Sequence, residues 1–85
     1  MENLNTTQKI KHILGNIVGV EEPEMTPESA LVADLNAAPE DLIAIFEALE
    51  EEFEIKLTAE DRHSLETVGN VIAIVKDHLN ELEDE

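Results

Sequence analysis

Three histidines and a large surplus of carboxylates are the side chains of this chain best equipped for acid–base or metal chemistry. His12, His63 and His78 lie far apart, each among polar neighbours, and none forms the H-E-x-x-H spacing that puts two ligands on one helix face. That pattern fits surface or helix-end positions, and no metal site is expected. The carboxylates are too many to single out a pair. General acid–base work needs a carboxylate whose surroundings move its pKa, and a helix surface in water supplies no such surroundings. A calcium loop of the D-x-[DN]-x-[DN]-G type is absent, and Gly15, Gly19 and Gly69 are isolated rather than gathered into a phosphate cradle. The chain has no cysteine, which excludes disulfides, thiolate catalysis and cysteine zinc sites. Ser29 and Ser64 are its only serines. No catalytic residue emerges, and the chain reads as something other than an enzyme.

The charge balance says more. Twenty-one acidic residues face five basic ones, a formal net charge of -16. Such a field repels nucleic acid and anionic membranes and attracts basic protein surfaces. Seven acids crowd the stretch from Glu40 to Glu54 with no base among them. At 100° per residue, Leu42, Ile45, Phe46, Leu49 and Phe53 share one arc, and Glu40, Glu47, Glu51 and Glu54 line the opposite one. Ile43 and Ala44 fall on that acidic side. A purely solubilising face accounts for the acids. An exposed isoleucine among them points instead to docking, with a basic patch steered in by charge and Ile43 supplying apolar contact.

These residues need a scaffold, and 85 residues allow one domain, 1-85, with one modest core. Hydrophobic residues make up 42% of the chain, too many for a disordered acidic tail, and aromatics only 2%. The aliphatics recur at helical spacing, so the expected class is all-α. Ile10, Ile13, Leu14 and Ile17 predict a first helix from about Thr7 to Val18, extended at most to Leu4, capped by Thr6 or Thr7 and ended by Gly19. A long loop follows to Ala37. In it Thr26, Pro27 and Glu28 predict a short helical turn, and Leu31, Val32 and Leu35 are expected to plug the core. Pro39 suits the first position of the second helix, with Glu40 and Asp41 favoured in its first turn. A short third helix should start at Thr58 with Asp61 completing a capping box. The fourth should run from Val68 to Leu79 behind Thr67, with Val68, Val71, Ile72, Val75 and Leu79 inward. Leu65 should also pack inward, and Glu81 to Glu85 should fray. The whole reads as an antiparallel four-helix bundle. Neither a leader nor a membrane span is evident, so a cytoplasmic monomer is expected.

Three stretches then resemble one family in order and at its spacing: M-T-P-E-S-A-L-V-A-D-L (Met25 to Leu35), A-L-E-E-E-F-E-I (Ala48 to Ile55) and T-V-G-N-V (Thr67 to Val71). Across almost its whole length the chain is similar to the acyl carrier proteins. The resemblance implies the acyl-carrier-type bundle with a long first loop and a short third helix. It also implies a growing acyl or peptidyl chain carried on phosphopantetheine, esterified to the serine of a G-x-D-S-L motif where the second helix begins. Here that motif reads N-A-A-P-E: Asn36 stands for the glycine, Ala38 for the aspartate, Pro39 for the serine and Glu40 for the leucine. Proline has no hydroxyl to esterify, so no cofactor is expected at Pro39. By the same resemblance, the partner-docking positions of the second helix are Asp41, Ile43, Glu47, Glu50 and Glu51, and the partner is an enzyme of acyl or polyketide metabolism with a basic docking patch.

Two alternatives stand beside that reading. H-S-L-E-T-V (His63 to Val68) echoes the D-S-L-D-T-V of many carriers, which makes Ser64 the alternative attachment residue of a genuine carrier in fatty acid or polyketide biosynthesis. That register leaves one helix after the serine and forfeits two of the three matching stretches. The other alternative is a bundle that binds lipid without a covalent bond, with Ile45, Leu49, Ile72 and Val75 around the slot.

Overall fold

A computed structural model describes residues 5–79. Within them the chain forms four helices, α1 (Thr6–Val18), α2 (Pro39–Phe53), α3 (Ala59–His63) and α4 (Val68–His78), with one 3-10 turn (Glu22–Glu24) in the long first loop. This is the all-α four-helix bundle with a short third helix. The expected extension to Leu4 and the fraying of Glu81 to Glu85 lie outside the described residues.

α1, α3 and α4 each begin where a side chain can satisfy a free amide. The cap of α1 is Asn5 rather than Thr6 or Thr7: its Oδ1 accepts from the Gln8 amide at 2.8 Å, and Gln8 Oε1 accepts from the Asn5 amide at 3.0 Å. Gly19 ends α1 at φ 76°, donating its amide to Gly15 O. Thr58 and Asp61 form the expected reciprocal cap of α3, and Thr67 and Asn70 do the same for α4. α2 begins at Pro39 behind Ala38, whose side chain offers no acceptor. Its end is Glu54, held in the left-handed region at φ 56°.

α1 packs against both α2 and α4. Ile10 and Leu14 of α1, Ile45 and Leu49 of α2, and Val68, Val71 and Val75 of α4 are all at 0% exposure. Leu65 is buried as expected, and Leu57 and Met25 join the core without having been expected there.

The long loop departs from expectation at two points. Thr26 to Ser29 is a hydrogen-bonded turn, with the Ser29 amide donating to Thr26 O at 2.9 Å, and the helical turn lies earlier, at Glu22–Glu24. Val32 does not plug the core; it is 59% exposed. Residues 30–36 coil through a tight turn in which the Asp34 amide donates to Ala30 O and the Asn36 amide to Val32 O. Leu31 and Leu35, four apart, thereby share the inward side, and Val32 is rotated away from it.

Three backbone bonds stitch this loop to the start of α4. The Leu31 amide donates to Glu66 O at 2.9 Å, the Val68 amide to Ser29 O at 3.0 Å, and the Gly69 amide to Pro27 O at 3.0 Å. Ala30 and Thr67 form an isolated antiparallel bridge at the same place.

Candidate functional site

The candidate site is the outer side of α2, with its first turn and the α3 segment facing its end. Pro39 occupies the first helical position and is exposed. A proline there lacks only an amide that would have no helical partner. Asp41 reaches back, its Oδ2 accepting from the Ala38 amide at 2.9 Å. That is half of a reciprocal cap, since Ala38 returns nothing.

Of the five expected docking positions, three stand clear of the bundle. Ile43 is 56% exposed, and Glu47 and Glu51 are exposed on the same side. Asp41 and Glu50 are half-buried and already hold hydrogen bonds. Both sit at the flanks of the acidic arc when the helix is wound at 100° per residue, which is why neighbouring backbone reaches them.

Glu50 ties the end of α2 to the segment that leads into α3. Its Oε2 accepts from the Leu57 amide at 2.8 Å and from Arg62 Nη2 at 3.4 Å. The Leu57 amide holds this carboxyl below the usual glutamate range; partial burial opposes the shift, and Arg62 and Lys56 add to it. Arg62, the chain's single arginine, also lies over the Phe46 ring, 5.3 Å from its centroid. With Leu42, Phe46, Ala59 and His63 it lines an open cleft of about 310 Å³ between α2 and α3. The sequence gives no spacing signal for this arrangement. Its one hint is an arginine in a chain otherwise short of cations.

Elsewhere carboxylates pair with histidines. His78 Nε2 lies 2.7 Å from Asp61 Oδ2 and joins α4 to α3, and His12 Nδ1 lies 3.2 Å from Glu22 Oε2. The His78 bond, then the Thr58 amide, keep the Asp61 carboxyl below the usual aspartate range. Among the described residues no group of three or more His, Asp or Glu side chains gathers as metal ligands would.

Ser64 is exposed at the end of α3, its Oγ donating to Glu60 O at 3.2 Å. Ser29 is buried, its Oγ accepting from the Thr26 amide at 3.0 Å. Ile45, Leu49 and Val75 belong to the buried core cluster, with Ile72 packed against it. No helix among the described residues is long and apolar enough to cross a membrane.

No protein-family model matches the chain. It is, however, 39% identical over 75 residues to an acyl carrier protein of Buchnera aphidicola subsp. Baizongia pistaciae (strain Bp), an alignment covering 88% of this chain and 96% of that protein. With that identity along nearly all of both chains, and with the four-helix bundle, the chain belongs to the acyl carrier protein family.

Proposed function

We propose that this chain is a member of its family that acts by docking and carries no covalent arm at the family's attachment position. A basic patch on an acyl-handling enzyme is steered onto α2 by charge and seated on Ile43. The observation that carries the reading is the pairing of two features on one helix. Pro39, without a hydroxyl, stands at the first position of α2, while Ile43 stands exposed one turn on, between Asp41 and Glu47. The resemblance supplies the significance of position 39, and the exposed face supplies what α2 still offers a partner.

The test is the intact mass of the protein after incubation with coenzyme A and a broad-specificity phosphopantetheinyl transferase. The expected result is an unchanged mass. A gain of one phosphopantetheine overturns the armless reading, and peptide mapping would then decide between Ser64 and Ser29.

A further inference from the structure

Resting on that docking reading, we infer that Arg62 is an internal stand-in for the partner: it occupies Glu50 in the free protein, and a partner's arginine displaces it, lifting Arg62 off Phe46 and uncovering the cleft between α2 and α3.

The site shows what kind of group fits it, because the chain's own guanidinium is already there. Glu50 Oε2 accepts from Arg62 Nη2 at 3.4 Å, longer than the roughly 2.7–2.9 Å of a strong charge-assisted bond. The Arg62 side chain is 44% exposed and that of Glu50 23%, and an ion pair whose cation is this open to water is weak. The Leu57 amide, by contrast, holds the same oxygen at 2.8 Å. The carboxylate therefore keeps its place when Arg62 leaves, and an incoming cation finds it already aimed.

Arg62 also holds a second place, over Phe46 at 5.3 Å. A planar guanidinium can pair with a carboxylate and lie on a ring at once, which an ammonium does less well. The predicted partner group is for that reason arginine rather than lysine. Since Arg62 lines the cleft with Leu42, Phe46, Ala59 and His63, its departure widens the mouth of an apolar recess beside the docking helix. The neighbouring Glu47 and Glu51 are exposed and can receive further basic groups of the same partner.

The probe is hexa-arginine peptide, titrated at low salt into the isotope-labelled full chain. Three NMR signals are followed: the α2 amides of Glu47 and Glu51, and the Arg62 Nε–H, which the ring current of Phe46, 5.3 Å from the guanidinium carbon, should displace. Displacement predicts that all move together, the Arg62 signal towards its free-arginine position. Two variants then separate competition from net charge. Arg62→Gln should bind the peptide about two- to fivefold more tightly than Lys76→Gln, which makes the same charge change on α4. If Glu47 and Glu51 respond but Arg62 does not, and the two variants bind alike, the competition is overturned and the docking reading stands. If the peptide leaves Glu47 and Glu51 unmoved, the docking reading fails and the competition falls with it. The wild-type signals need no variant, so a poorly folding Arg62→Gln leaves the test intact.

Discussion

At the first position of a helix, serine and proline are both well tolerated, and proline arrives with its φ already suitable. What separates them at position 39 is the hydroxyl, so the exchange can remove a covalent attachment without disturbing how α2 begins. Four residues on, exposure is what matters. Ile43→Asp should leave helical ellipticity unchanged and cost less than about 1 kcal/mol in stability, a matter of propensity and added like charge. It should at the same time weaken capture of a basic partner. Ile45→Ala, two residues further along the same helix, should cost about 2–5 kcal/mol, because Ile45 is fully buried. Chemical denaturation of both variants checks the contrast, and a collapse of helicity in Ile43→Asp would make Ile43 a core residue. The exposure of Ile43 was legible because α2 is long and regular. Val32 was misplaced because no periodicity runs through its turn, although the four-residue spacing of Leu31 and Leu35 held the clue. Asn5 caps α1 in place of either threonine that follows it because its side-chain carbonyl is the group that reaches the Gln8 amide.

Elements meet here through a few specific contacts. The start of α4 lies so close to the loop that a Cβ on Gly69 would fall 2.9 Å from Pro27 O and 3.3 Å from Pro27 Cβ. In an open helix, glycine to alanine gains up to about 1 kcal/mol. Gly69→Ala should instead lose about 1–3 kcal/mol, since backbone on one side or the other must yield. Its melting temperature should fall by about 4–8 °C for each kcal/mol; a rise would show that the loop accommodates the methyl freely. α3 is held differently, through charge. The Asp61 carboxyl, kept low chiefly by His78, adds stability that is present above the unfolded aspartate pKa of about 3.9 and is lost as the pH falls through the lower folded value. His78→Gln should move the Asp61 titration up towards the usual range and start acid unfolding at a higher pH. Side-chain carboxyl carbon shifts read this directly, and an unmoved Asp61 midpoint would assign the hold to the Thr58 amide alone. The start of α3 was readable from the Thr58–Asp61 spacing; its end at His63 was not. The His78 pairing was not, because it joins residues 17 apart that only the bundle brings together.

For the molecule as a whole, a net charge of -16 acts against compactness. Raising salt from roughly 0.01 M to 0.15 M shortens the screening length from about 30 Å to 8 Å. Like-charge pairs at i,i+4 cost a few tenths of a kcal/mol each, and Glu47 and Glu51 form one within α2. Screening that pair together with the repulsion among all the surplus acids should recover about 1 kcal/mol and lift the melting temperature by about 4–8 °C. Scanning calorimetry in graded sodium chloride checks this, and a flat response would mean the acids are too well hydrated to repel. The bundle and its inward stripes were readable because helical periodicity is local. Where the long loop runs was not, since its bonds go to a segment far along the chain. Leu31 and Glu66 are about 35 residues apart, and the three bonds around them close only when both segments exist. During synthesis, then, α1, the loop and α2 leave the ribosome with the loop still unfastened. α2 is made before the segment that anchors the loop leading into it, and the amides of Leu31, Val68 and Gly69 should gain protection from hydrogen exchange together, late, and only in chains that extend past residue 69.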